Sequence, residues 1–137
     1  MRLPIFHVDA FASELFAGNP AAVVPLRDWL PDGVLQAIAA ENALPETAFL
    51  VPGAEGWDLR WFTPTVEVDL CGHATLASAF VLAATTEPGT DRFVFATREA
   101  GTLVVTREGG RFTIDLPSRP ARPVPADREV LDALGVA

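Results

Sequence analysis

The feature that most constrains this fold is a segment of small and apolar residues in the middle of the chain. Once past His73, residues 72–84 consist only of Ala, Thr, Leu, Ser, Phe and Val. A helix that is apolar on all sides has to be buried on all sides. We therefore expect this segment to form a central helix that the rest of the fold surrounds.

Short strands are predicted on both sides of this helix, because apolar or alternating runs are bounded there by Gly and Pro. They cover residues 5–11, 21–26, 47–51, 57–62, 92–96, 101–107 and 111–116. One helix is predicted between Pro31 and Pro45, and a short one between Asp127 and Gly135. The pattern predicts the α+β class, with a mostly antiparallel sheet rolled around a central hydrophobic helix.

Alternation along the strands also predicts which side chains face inward. Trp57, Leu59 and Trp61 are expected to face the core, with the other face of their strand outside it. Glu67 and Asp69 alternate with apolar residues and are expected on the wet face of a strand.

Composition excludes several functional classes. The net charge of -8 disfavours binding to nucleic acid or to an anionic membrane. All ten basic residues are Arg, so the chain has no lysine for Schiff-base chemistry or for a phosphate-binding loop. No G-x-G-x-x-G motif follows a strand, and the two histidines lack paired spacing. We therefore expect neither a dinucleotide cofactor nor a metal.

The length of 137 residues is that of one ordinary domain. Cys71 is the only cysteine, so the chain cannot form an internal disulfide. The amino terminus does not resemble a secretory leader, and no apolar run is long enough to span a bilayer. We expect a soluble cytoplasmic protein.

Cys71, Gly72 and His73 are candidate site residues because they lie at the start of the predicted central helix. A helix amino terminus attracts anions such as a carboxylate. The same field would lower the pKa of Cys71 and favour the neutral form of His73, while Gly72 would let a ligand approach the backbone. The alternative is that Cys71 is a small buried hydrophobe and His73 a hydrogen-bonded cap.

Glu46 is a candidate general acid or base because it lies between the end of a predicted helix and the start of an apolar strand. A carboxylate held in a partly desolvated cleft can exchange protons with a substrate. The alternative is an ordinary solvated loop glutamate.

Four motifs closely resemble the amino-terminal half of the PhzF family, the phenazine-biosynthesis isomerases and their relatives. They are V-D-A-F at 8–11, G-N-P-A-A-V at 18–23, E-T-A-F at 46–49 and L-R-W-F-T-P-T-V-E-V-D-L-C-G-H-A-T-L-A-S-A at 59–79. The resemblance runs from about residue 5 to residue 116. It implies the fold of diaminopimelate epimerase, in which two lobes, each a sheet rolled around a helix, enclose the active site.

The resemblance also implies a function. In the phenazine enzyme a glutamate moves a proton between carbons of a dihydro-hydroxyanthranilate ring without a cofactor. Glu46 matches that glutamate and His73 matches a histidine of the site. The substrate, a small carboxylic acid, is expected to contact the residues that match the rest of the site: Asn19, Cys71, Gly72, Ala74 and Thr75. Cys71 also matches a catalytic cysteine of diaminopimelate epimerase, so a cysteine-dependent racemase is a second possibility.

The second lobe of the family has no counterpart in this sequence. Residues 1–116 correspond to the amino-terminal lobe, and residues 117–137 form a Pro-rich connector and a short terminal helix. Catalysis depends on preorganised groups from both walls of the cleft, so we expect the isolated chain to be nearly inactive. A third possibility is a binding module that pairs with a second lobe or with itself, through an apolar face beside Glu46, Cys71 and His73.

Overall fold

The computed structural model describes residues 2–136, which form eight strands and three helices. The strands are β1 (Phe6–Ala10), β2 (Asn19–Pro25), β3 (Glu46–Gly53), β4 (Gly56–Phe62), β5 (Glu67–Val68), β6 (Arg92–Ala96), β7 (Thr102–Glu108) and β8 (Arg111–Asp115). The helices are α1 (Asp32–Asn42), α2 (Gly72–Thr85) and α3 (Arg128–Leu134).

All strands belong to one sheet in the order β1-β2-β3-β4-β6-β7-β8, with β5 paired to β4. The pairs β2–β3 and β4–β6 are parallel and the remaining pairs are antiparallel. Helix α2 packs against β1, β2 and β3 on one side and against β7 and β8 on the other. The sheet is therefore curled around α2, which confirms the predicted α+β fold with a central helix.

The core between the sheet and α2 contains most of the buried side chains, among them Leu50, Trp61 and Phe93. The composition of helix α2 predicted that it is buried on all sides, and this prediction was wrong. Phe80 is 49% exposed, and residues 84–85 are exposed as well. The reason is that the curled sheet does not close: its edge strands β1 and β8 leave one flank of α2 uncovered.

The outer face of the sheet carries a second apolar cluster beneath α1, with Leu35, Phe49 and Phe62 at its centre. As a result, β4 is buried on both faces from Leu59 to Phe62. The prediction that only one face of this strand lies in the core was wrong, because alternation does not show that α1 covers the other face.

Arg60 is the charged residue of this outer face and is only 4% exposed. Its guanidinium donates to both carboxylate oxygens of Glu67 at 2.7 Å and to Asp32 Oδ1 at 2.9 Å. It also lies over the rings of Trp29 and Phe62, at 5.2 and 5.0 Å from their centroids. Glu67 is thus bound to a buried cation and is not a purely solvated residue of a strand's wet face. This clamp fixes β5 four residues before Cys71.

The carboxyl-terminal part of the described chain makes few contacts with the sheet. Residues 117–127 are exposed, and α3 has no buried residue. Asp127 caps α3 by accepting from the Glu129 N–H, and Gly135 ends it in the left-handed conformation, as predicted. Among residues 2–136 no helix has the length and apolarity needed to cross a membrane.

Candidate active site

The candidate site is built around the amino terminus of α2. Cys71 is the N-cap, with an extended backbone, and the helix begins at Gly72. The Cys71 carbonyl accepts from the Thr75 N–H at 3.3 Å and from the Thr75 hydroxyl at 2.6 Å. Thr75 is fully buried, so its hydroxyl stabilises the first turn.

His73 connects three elements of the fold. Its Nδ1 lies 3.4 Å from Cys71 Sγ, and its Nε2 lies 3.3 Å from the Pro20 carbonyl oxygen in β2. The same Nε2 lies 3.3 Å from Oε2 of Glu46 in β3. The fold therefore brings Glu46, Cys71 and His73 together, although Glu46 is far from the other two in the sequence.

The partners of His73 determine its tautomer. A carbonyl oxygen can only accept, so Nε2 carries the hydrogen that faces Pro20. Nδ1 then accepts from the Cys71 thiol. In this arrangement both ring nitrogens have a partner, as the low exposure of His73 requires.

Glu46 is the first residue of β3. It is therefore not the loop glutamate that the alternative prediction described. Its side chain is about one-fifth exposed, but its Oε2 is buried and has no hydrogen-bond partner. Although Oε2 and His73 Nε2 are within ion-pair distance, their geometry is not that of a hydrogen bond. A buried carboxylate oxygen without a donor is unusual in a folded protein. This oxygen keeps a lone pair available to a ligand.

Cys71 is held as a thiol. Burial raises its pKa to about 11, the Ala74 N–H opposes this shift, and the Glu46 carboxylate adds to it. The prediction that the helix amino terminus lowers the pKa of Cys71 was therefore wrong. The N–H groups of Ala74 and His73 act in the expected direction, but the loss of water around the sulfur outweighs them.

The other predicted contact residues surround this cluster. Asn19 begins β2, pairs with Ala10 and directly precedes Pro20. Gly18 makes this strand start possible, because its φ is +96° and a Cβ there would lie 2.4 Å from the Ala10 carbonyl oxygen. Ala74 is fully buried, and Gly72 is half-buried beside Leu116.

Sequence reasoning missed the Pro20 carbonyl and the Arg60 clamp. A backbone acceptor leaves no signal in residue types. Arg60 had one possible signal, its place between the apolar Leu59 and Trp61, but nothing in the sequence identifies Glu67 and Asp32 as its partners.

An apolar groove runs along the uncovered flank of α2, between β1 and the β7–β8 hairpin. Its walls include Phe80 of α2, Phe112 of β8 and the β1–β2 loop, where Phe11, Leu15 and Phe16 are 76%, 85% and 99% exposed. The groove has a volume of about 870 Å³. An apolar face was predicted beside Glu46, Cys71 and His73, but these residues do not line this groove.

Known proteins resemble the chain in both sequence and structure. Residues 8–130 match the family described as phenazine biosynthesis-like protein, PhzC-PhzF. An uncharacterised isomerase of Pseudomonas aeruginosa is 53% identical over 137 residues, which are 100% of this chain and 52% of that protein. The chain spans about half the length of the curated relatives it matches.

Two solved structures share the fold. A PhzF-family phenazine biosynthesis protein of Enterococcus faecalis is 47% identical with a TM-score of 0.87, over 98% of this chain and 52% of that one. A predicted epimerase of Pseudomonas aeruginosa is 28% identical with a TM-score of 0.67, over 82% of this chain and 41% of that one. The chain belongs to the PhzF family and has the structure of one lobe of its epimerase-like fold.

Proposed function

We propose that this chain is one lobe of an isomerase that moves a proton between carbons of a small unsaturated or cyclic carboxylic acid, without a cofactor. Glu46 is the acid and base. The observation that carries this proposal is Glu46 Oε2, which is buried, lacks a hydrogen bond and lies 3.3 Å from His73 Nε2. A carboxylate with a free lone pair beside an N–H donor can take up a proton from carbon and return it.

His73 is the second catalytic group of the proposal. Its Nε2 hydrogen faces Pro20 and lies next to Glu46, so it can stabilise negative charge that develops on the substrate. The thiol of Cys71 holds the opposite ring nitrogen. This support keeps the imidazole correctly oriented while Glu46 changes its protonation state.

The substrate carboxylate is proposed to bind at the amino terminus of α2. The partial positive charge of a helix of 14 residues attracts an anion there. The proposed contacts are the backbone N–H of Gly72 and the Asn19 side chain. The Thr75 N–H already donates to the Cys71 carbonyl and the Ala74 N–H to the Cys71 sulfur, so these two predicted contact residues support the site from within the helix. Cys71 forms part of the lining.

A cysteine-dependent racemase has less support. A base acting through sulfur has to lose its proton near neutral pH, whereas burial raises the pKa of Cys71 to about 11. Replacing Cys71 by Ala should therefore leave proton transfer by Glu46 detectable, and complete loss would favour the racemase. A single buried thiol is compatible with the cytoplasm, where we place the reaction.

We also propose that the site is completed by a second lobe or by a second copy of the chain. The exposed aromatic side chains of the β1–β2 loop and the exposed Val130 and Leu134 of α3 support an unfilled contact surface. Sedimentation at high concentration distinguishes the two: a mass of two chains indicates self-pairing, and a mass of one chain excludes it.

The reaction can be tested by following deuterium uptake from D2O into dihydro-hydroxyanthranilate and a panel of small unsaturated carboxylic acids. The chain is assayed alone and with the separately expressed second half of its 53% identical Pseudomonas aeruginosa relative. We expect uptake at least about 100-fold faster with both halves than with the chain alone. Glu46→Gln should remove it, and His7→Asn, at an exposed histidine, should not.

Uptake that survives Glu46→Gln would refute the role of Glu46. Rapid Glu46-dependent uptake by the chain alone would refute the need for a second lobe. Absence of uptake from every acid in the panel, with both halves present and associated, would refute the substrate class.

A further inference from the structure

The Glu46–Cys71–His73 cluster has a property that proton transfer does not require. Each residue offers one ligand atom, and the three atoms all lie within 4.8 Å of one another. They come from β3, from the N-cap of α2 and from its first turn. No metal was expected from the sequence, because the two histidines lack paired spacing and the cluster forms only in the folded chain.

The geometry is near that of a bound metal ion. Ligand atoms around a tetrahedral Zn²⁺ lie about 3.3–3.6 Å apart, given Zn–S and Zn–N bonds of about 2.3 and 2.0 Å. The Oε2 of Glu46 and Nε2 of His73 are already 3.3 Å apart. A pair at the full 4.8 Å has to approach by about 1.2–1.5 Å, which side-chain rotation can provide.

Two further observations favour an occupant. Glu46 Oε2 is buried without a hydrogen-bond donor, although the cluster surrounds it with side chains. The donor set is also selective: one sulfur, one imidazole nitrogen and one carboxylate oxygen suit Zn²⁺ and do not suit Mg²⁺ or Ca²⁺, which prefer oxygen.

We propose that Glu46, Cys71 and His73 bind one Zn²⁺ ion as a three-ligand site with its fourth position open. On binding, the S–H bond of Cys71 breaks and its proton moves to Nδ1 of His73, 3.4 Å from the sulfur, while Nε2 gives up the hydrogen that faces Pro20. A Zn–S bond and a Zn–N bond form, and one proton leaves to solvent. The ion also takes the lone pair of Glu46. If the proposed function holds, Zn²⁺ therefore inhibits proton transfer, but binding itself does not depend on that function.

The test uses all 137 residues without a histidine tag. Zn²⁺ is titrated by calorimetry, and Co²⁺ is used as a spectroscopic probe because a thiolate ligand gives it an intense near-ultraviolet charge-transfer band. We expect one ion per chain, a Zn²⁺ Kd below about 10 µM and a charge-transfer band. Cys71→Ser should remove the band.

Glu46→Gln and His73→Asn should each weaken Zn²⁺ binding by at least about 100-fold. Losing a residue that only hydrogen-bonds to a metal ligand already weakens metal binding by about 10–100-fold, and these two residues are the ligands themselves. The matched controls are Glu55→Gln and His7→Asn, at exposed positions, and both should bind Zn²⁺ as the unaltered chain does. Circular dichroism checks that each variant folds. Should a variant at Cys71 or His73 fail to fold, Glu46→Gln decides, because its Oε2 makes no hydrogen bond.

Binding weaker than about 10 µM, or a Kd that Glu46→Gln leaves unchanged, would overturn the proposal. So would a Co²⁺ band that persists in Cys71→Ser. None of these results depends on a substrate, so they leave the isomerase proposal standing. Conversely, Glu46-independent deuterium uptake would leave the metal site standing.

Discussion

Two clusters that hold a glutamate lie on opposite faces of the same sheet, and they differ in how completely their polar atoms are satisfied. On the outer face, both carboxylate oxygens of Glu67 accept from the Arg60 guanidinium. On the inner face, one carboxylate oxygen of Glu46 is buried without a donor.

This difference distinguishes a carboxylate that stabilises the fold from one that is available to a ligand. A buried charge whose partners are complete is a structural element, and removing one partner leaves the others uncompensated. A buried carboxylate whose partners are incomplete costs stability, which a fold tolerates where a ligand supplies the missing contact. The Arg60 clamp therefore holds β4, β5 and α1 together, whereas the Glu46 cluster leaves one carboxylate oxygen without a donor.

Removing the clamp should have the largest effect. Arg60→Met removes the buried cation from Glu67 and Asp32, which keep only the more exposed Arg98 at 3.1 and 4.0 Å, and should lower the free energy of unfolding by roughly 2–4 kcal/mol. We place the value in this range because both carboxylates keep some contact with water. Urea denaturation measures the loss.

Arg60→Lys is the matched control. It keeps the charge but cannot donate to two oxygens at once, so its loss should be intermediate. A loss of less than about 1 kcal/mol in the free energy of unfolding for Arg60→Met would show that the clamp contributes little to the stability of the fold.

The pH dependence of stability isolates Cys71. The chain has no Tyr, and all ten of its basic residues are Arg, so Cys71 is the one side chain that titrates between about pH 9 and 11. The unfolded thiol loses its proton near 9.0, whereas the folded thiol, whose pKa burial raises, keeps it up to about 11. Across this window the unfolded state binds fewer protons, so stability falls as the pH rises, by about 2–3 kcal/mol in total.

Urea denaturation across this pH range measures the fall, and Cys71→Ala should abolish it. A curve that is flat for the unaltered chain, or one that rises with pH, would show that burial does not raise the pKa of Cys71. Burial would then no longer exclude Cys71 as the catalytic base.

The groove beside α2 should contribute little to the stability of the isolated chain. Phe16 is 99% exposed, so Phe16→Ser should change the free energy of unfolding by less than about 0.5 kcal/mol. Phe49→Ala, at a fully buried phenylalanine of the outer cluster, should cost about 3–5 kcal/mol in the same assay. A loss above about 1 kcal/mol for Phe16→Ser would show that the β1–β2 loop packs on its own lobe.

Much of the fold follows from local patterns. The apolar run after His73 predicts α2, and the alternation and turn residues predict most strands to within two residues. Period-two alternation does not name a strand's partner, however. The parallel pairs β2–β3 and β4–β6, and the burial of Arg60 beneath α1, arise from tertiary packing and were not predicted.

The candidate site, like the fold, could be predicted only in part from the sequence. Motif resemblance identified Glu46 and His73 as candidates, and the fold brings them within 3.3 Å of each other. The protonation of Cys71 depends on how much water the folded chain removes from its sulfur. The sequence predicts where the helix starts, and therefore the N–H groups that lower the pKa of Cys71. It does not show how deeply the sulfur is buried.

The central claim is that Glu46 is held for a ligand and not for the stability of the fold. The most direct test compares Glu46→Gln with Glu67→Gln by urea denaturation at neutral pH. Glu67→Gln removes charged hydrogen bonds to Arg60 and should cost about 1–3 kcal/mol. Glu46→Gln should change stability by less than about 0.5 kcal/mol or increase it, because it removes a buried charge whose Oε2 has no donor. Equal losses of 2 kcal/mol or more, on the order of a broken buried ion pair, would contradict the claim and make Glu46 a structural partner of His73.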